Sequence, residues 1–96
     1  MRYIVRLERS LQLRVEALNF PVWFRFSCVT LALASDPFPG AGRRVRRVTL
    51  GDYVNAYSFD DPELPFVVVY RVFLPDTEQG EGYVWVFDLI ERDDET

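Results

Sequence analysis

Apolar and polar positions change their period along the chain, and each change predicts an element. Tyr3, Val5 and Leu7 alternate with Arg2, Ile4 and Arg6, the two-residue period of a half-buried strand. From Glu8 to Leu18 two periods compete: Leu11, Leu13, Val15 and Ala17 alternate, whereas Leu7, Leu11, Val15 and Leu18 share one helical face. We read this segment as a helix with Ser10 as its N-cap, because a hydroxyl there can accept from the first free amides. Asn19-Phe20-Pro21 is a natural break, and Pro21 suits the first turn of a second helix. Residues Pro21 to Ala34 are ambiguous by propensity, since Val22, Trp23, Phe24, Phe26, Val29 and Thr30 favour strands. Phe20, Trp23, Phe24, Cys28 and Leu31 nevertheless form a helical stripe, and the opposite stripe of Val22, Phe26, Val29 and Leu33 is apolar too. A helix here is apolar on two sides, so one side is either buried or left for a partner. Asp36 to Gly42, with Pro37, Pro39, Gly40 and Gly42, is a loop.

The second half reads as sheet. Val45 to Leu50 and Tyr53 to Phe59 are strand-like on either side of Gly51-Asp52, and Asp60 to Pro65 is a turn-rich connection. Phe66 to Leu74 is nearly continuous apolar sequence, as in a central strand buried on both faces. After the acidic loop from Pro75 to Gly82, Tyr83 to Ile90 alternates, with Val84, Val86 and Asp88 opposing Tyr83, Trp85, Phe87 and Leu89. The charged tail from Glu91 to Thr96 is expected to fray. The resulting architecture is α+β, two N-terminal helices packed on a twisted antiparallel sheet in a single domain over 1–96. An all-β barrel or sandwich is the alternative if the segment from Glu8 to Ala34 forms strands instead.

Composition supports a packed core and removes chemistries. The 96 residues are 49% hydrophobic, 16% aromatic and 27% charged, which argues against disorder. There is no histidine, so Ser-His and Cys-His nucleophile pairs and histidine zinc sites are excluded. All 11 basic residues are arginine, so Schiff-base and P-loop lysine chemistry is excluded as well. The lone Cys28 cannot form an internal disulfide; it reads as a small buried hydrophobe, and a cytoplasmic location fits best. Arg2, Arg6, Arg9 and Arg14 before the apolar run imitate a signal peptide, but Glu8, Glu16 and Arg25 interrupt the pattern. No segment is long and uncharged enough to span a membrane.

Charge is divided between the halves. Residues 1–50 hold nine arginines against three acids, a net of +6, and residues 51–96 hold two arginines against twelve acids, a net of −10. The overall −4 opposes broad contact with a phosphate backbone, so nucleic-acid binding would need a local patch. Arg43, Arg44, Arg46 and Arg47 are the candidate patch, with Arg44 and Arg46 on one strand face and Arg43, Val45 and Arg47 on the other. The competing expectation is that they meet carboxylates of this chain or of a protein partner. Tyr53, Tyr57, Tyr70 and Tyr83 are expected to pack in the sheet. Asp60-Asp61 with Glu63 and Asp93-Asp94-Glu95 lack metal-loop spacing and read as solvated turn and tail residues; no metal or cofactor is expected. Trp23 with Phe20, Phe24 and Phe26 is a candidate partner face, although such aromatics are more often core.

This order of elements resembles the RelE/ParE superfamily of bacterial toxin–antitoxin toxins, and the resemblance covers most of the chain. It is carried by Leu31-Ala32-Leu33-Ala34-Ser35-Asp36-Pro37-Phe38-Pro39, like the family's helix end and proline loop, and by the arginines at 43, 44, 46 and 47, like its basic strand entrance. Val68-Val69-Tyr70-Arg71-Val72 is similar to its central strand, and Leu89-Ile90-Glu91-Arg92 to its final strand. The resemblance implies catalytic roles for Arg92, Arg71 and Tyr70, cleavage of messenger RNA on the ribosome without metal, and an antitoxin partner. Val67 stands where such nucleases often carry arginine, and the sequence ends at Thr96 without a terminal tyrosine. The implied activity is therefore a weak or absent ribonuclease. The family's ParE branch acts on DNA gyrase by binding and lacks those residues too. The expected partners are an antitoxin or a second copy, as a homodimer. The alternative from another class is a noncatalytic β-rich interaction domain that self-assembles through its charged halves.

Overall fold

The computed structural model describes residues 3–40, 44–49, 51, 55–77 and 80–92. Arg2, Arg43, Leu50, Tyr53 and the Asp93-Asp94-Glu95 tail lie outside the described residues. Strand β1 (Tyr3–Leu7) leads into helices α1 (Arg9–Glu16) and α2 (Phe20–Ser35), followed by strands β2 (Val45–Arg47), β3 (Ala56–Phe59), β4 (Phe66–Phe73) and β5 (Gly82–Glu91). Helices where strand propensity was high show tertiary packing overriding local preference. The all-β alternative is thereby excluded.

Local chemistry sets the helix starts. Glu8, not Ser10, caps α1: its carboxylate accepts from the Ser10 amide at 2.9 Å and also from the Ser10 hydroxyl. These hydrogen bonds hold the Glu8 carboxyl below its ordinary value, the side-chain bond to Ser10 being the largest cause. Asn19 caps α2 by accepting from the Val22 amide at 3.2 Å, and Pro21 lies in the first turn, where a missing N–H is no loss.

The sheet order is β1-β5-β4-β3-β2. Pairs β2–β3, β3–β4 and β4–β5 are antiparallel, but β1 runs parallel to β5, so the sheet is mixed rather than wholly antiparallel. The chain starts at one edge and must reach the other before the meander begins. Four inter-strand spacings span roughly 19 Å, and the 16 residues of α2 span about 24 Å. The helix packs most closely on β1, and the loop after it leads toward the other edge, with Phe38 meeting Tyr3 of β1 and Tyr57 of β3 edge-on.

One side of the sheet forms the core. Leu11, Phe26, Val29 and Leu33 from the helices pack with Tyr57, Phe66, Val68, Tyr70, Val72, Val84, Val86 and Leu89 from the strands. The Phe26 and Phe66 rings meet edge-on, centroids 5.9 Å apart. At the β1–β5 junction, Tyr3 is opposite Gly82. A methyl group at Gly82 would overlap the Tyr3 ring and come within 2.8 Å of the Phe73 carbonyl oxygen, which explains glycine inside this strand. Among the described residues no helix is long and apolar enough to cross a membrane.

Candidate functional site

The side of the sheet away from the helices collects cations and rings. Register places Arg6 of β1 and Arg71 of β4 on either side of Trp85 in β5, so an arginine–tryptophan–arginine row crosses three strands. In the neighbouring row Ile4 and Phe73 flank Tyr83. The Arg6 guanidinium lies 5.6 Å from the Tyr83 ring centroid, and that of Arg71 lies 4.9 Å from Phe73, both within cation–π range. Trp85 and Phe87 are 5.4 Å apart at a tilt. Arg46 of β2 extends this side, paired with Ser58 across from Val69. The arrangement offers charge to an anion and flat surface to a ring or planar group.

A bulge corrects one sequence expectation. Val69 pairs with Asp88 but Tyr70 pairs with Val86, leaving Phe87 as an extra residue. A bulge shifts the alternation by one, so Leu89 joins Val84 and Val86 in the core and the exposed Asp88 joins the Trp85 side. Strict alternation had assigned them oppositely. Tyr83, expected to pack, is exposed beside Arg6, and Arg6 itself was no candidate; the signal was the Arg6 position in β1 taken with a pairing that periodicity alone does not supply.

The three catalytic candidates fall into three separate places. Arg71 lies in the open row just described. Tyr70 points the other way: it is 0% exposed, and its hydroxyl donates to the Pro37 carbonyl at 2.7 Å, tying the loop after α2 to the central strand. Arg92, following β5, donates from Nε to the Leu64 carbonyl at 2.9 Å and from Nη2 to the Asp61 carbonyl at 2.7 Å, and pairs with the Asp60 carboxylate. From Trp85, opposite Arg71, to Arg92 is roughly 20 Å of strand, so the fold does not bring these two arginines together. Of the basic run, Arg44 and Arg46 are exposed. Arg47 is exposed on the other side of β2, 5.9 Å from the Tyr57 ring.

The turn beneath Arg92 is less solvated than expected. Asp61 is only 2% exposed, because its carboxylate accepts from Arg25 Nε of α2 at 2.7 Å and from the Glu63 amide at 2.9 Å. That hydrogen bond holds the Arg25 guanidinium above its ordinary value. Arg25 and Arg92 thus clasp the 60–64 turn from the helix side and the strand side. Beside it a cleft of about 580 Å³ is lined by Arg14, Leu18, Phe66, Leu89, Glu91 and Arg92 among others. Among the described residues no three carboxylate or thiol groups converge to hold a metal.

No protein-family model matches the sequence, and no curated protein sequence does. The fold, by contrast, is RelE-like. The chain is similar to one in the crystal structure of the archaeal RelE–RelB complex from Pyrococcus horikoshii OT3, with a TM-score of 0.72 over 99% of this chain and 100% of that one, at 17% sequence identity.

Proposed function

We propose that this chain is a RelE/ParE-like toxin module, held by an antitoxin protein, whose ribonuclease activity is weak or absent. The observation that carries the proposal is the end-to-end likeness to a chain crystallised in a RelE–RelB complex. The activity is low because the groups a metal-free phosphodiester cleavage needs are not gathered. Such cleavage requires a proton acceptor, cations at the phosphorus and an acid for the leaving oxygen. Val67, where an arginine would help, is half-buried opposite Ile90; Arg92 is committed to the 60–64 turn and Tyr70 to Pro37. Arg71 is half-buried in the open row, and the exposed Arg6 and Arg46 on the same side are the cations best placed to meet a target.

The basic run at Arg43, Arg44, Arg46 and Arg47 meets acidic side chains of the protein partner, since the twelve acids after residue 50 repel a wide phosphate surface. Induced expression tests the module: growth arrest, relieved by the product of an adjacent small reading frame and without discrete mRNA cuts, is expected. Cuts that disappear with Arg92→Gln would overturn the low-activity reading, and absence of both arrest and partner binding would overturn the toxin reading. Titration with short RNA at two salt concentrations tests the arginines. Negligible binding is expected, and tight binding whose salt slope falls by about one per arginine removed would replace the protein partner with RNA.

A further inference from the structure

Helix α2 carries a face that the sheet does not use. Phe26, Val29 and Leu33 are buried, whereas Phe20 is 70% exposed, Trp23 43%, Phe24 56% and Leu31 70%. Arg25 is the single charged residue of the helix, and it is held by Asp61 and Glu63, away from this face. The outward line runs Phe20, Phe24, Ser27, Leu31, Ser35, with Trp23 alongside, at three- and four-residue steps. Phe20 stacks on both Trp23 and Phe24, at 6.1 and 6.0 Å between centroids. The rings are therefore concentrated at the N-terminal end, and Leu31 with small side chains lies toward the C-terminal end.

We infer that this face of α2 binds a second copy of the chain, with the two α2 helices antiparallel about a two-fold axis near Ser27. Two properties select a second copy. An isologous contact sets each side chain against its own face, so any net charge would repel itself; this helix face has none. The size gradient is also self-complementary. In the antiparallel arrangement Phe20 meets Ala34 and Ser35 of the other copy, and Phe24 meets Leu31, so that each ring faces an aliphatic or small side chain rather than another ring. A parallel arrangement would set ring against ring and leave gaps at Ser27 and Ser35. With aromatic side chains of 150–250 Å², the four exposed apolar residues supply roughly 450 Å² per copy, over half the ~800 Å² per partner of a standard interface. The inference does not depend on the toxin reading, because it concerns the purified chain alone.

Light scattering on that chain is expected to show a dimer. Leu31→Glu, at an exposed position, is expected to keep the circular dichroism spectrum and weaken the dimer by roughly tenfold or more, since each copy would bury an unpaired charge. Orientation is read by crosslinking in a Cys28→Ser background. Ser27→Cys lies beside its symmetry mate and forms an intermolecular disulfide under mild oxidation. Phe20→Cys lies about 22 Å along the axis from its mate, too far for a disulfide, and stays unlinked. A chain that is monomeric throughout a concentration series, a dimer indifferent to Leu31→Glu, or linkage through Phe20→Cys and not Ser27→Cys would each overturn the inference.

Discussion

The two sides of strands β4 and β5 are made from the same backbone and differ in nearly everything else. Val68, Tyr70, Val72, Val84, Val86 and Leu89 face the helices and are sealed. Arg71, Trp85, Tyr83 and Phe73 face away and stay half-buried or exposed. The helical side is a volume problem, in which each side chain is confined by neighbours. The other side is a charge-and-ring surface that no described helix covers, and its exposed residues can be changed without opening a cavity. On the proposed reading stability belongs to the first side and recognition to the second, and substitutions on each side test that division.

The largest effect is expected at Leu33, 0% exposed on the buried face of α2. Leu33→Ala should cost about 2–5 kcal/mol in urea unfolding, and a loss under 1 kcal/mol would show that the helical side is loosely packed. Next comes Gly82, where both sides depend on the β1–β5 pairing. Gly82→Ala forces a methyl into the Tyr3 ring and against the Phe73 carbonyl and should cost about 1–3 kcal/mol; a neutral result would mean that both the Tyr3 ring and the β4 backbone give way freely. Tyr70→Phe removes the hydrogen bond to Pro37 without changing the packing, and about 1 kcal/mol is expected. Activity unchanged by Tyr70→Phe would assign this residue to the frame; activity lost at full stability would assign it to chemistry.

The elements were legible in the sequence but this division was less so, and the failures have identifiable causes. Phe66 to Leu74 read as buried on both faces, whereas Arg71 is half-buried and Phe73 and Leu74 are exposed. The first strand, the break at Asn19 and the proline loop follow from local rules that tertiary packing did not contradict. The second helix was legible only as two competing periods, because a helix apolar on two faces looks like a buried strand until one face is seen to be unused. Leu89 and Asp88 were assigned to the wrong sides because the bulge at Phe87 changes parity, and periodicity contains no bulge. The parallel partner of β1 was invisible for a similar reason: β1 and β5 are separated by most of the chain. At Asp61, an acid in a turn-like stretch gave no sign that Arg25, 36 residues earlier, would bury it.

A smaller effect lies outside both sides, at the cap of α1. The Glu8 carboxyl is held below its ordinary value of 4.5 by Ser10, so its stabilising contribution is fully present above pH 4.5 and is lost as pH falls through the lowered folded value. Ser10→Ala should therefore lower the melting temperature modestly at pH 6, with the difference from the parent chain shrinking below pH 4.5. A difference that grows in acid would contradict the cap.

The smallest change is expected from Arg6→Gln combined with Arg46→Gln, and it is the most direct test of the division. Both arginines are exposed on the open side. The ring contact of Arg6 with Tyr83 is worth about 0.5–1 kcal/mol at an exposed site. Against this, removing two charges from a surface that also carries Arg71 relieves mutual repulsion, and glutamine retains much of the stem that lies along the sheet. The two effects oppose, so the net change in unfolding free energy should stay within about 0.5 kcal/mol. If the double substitution instead costs more than about 1.5 kcal/mol, the open side contributes to the fold as the helical side does, and its arginines are structural before they are available to any target.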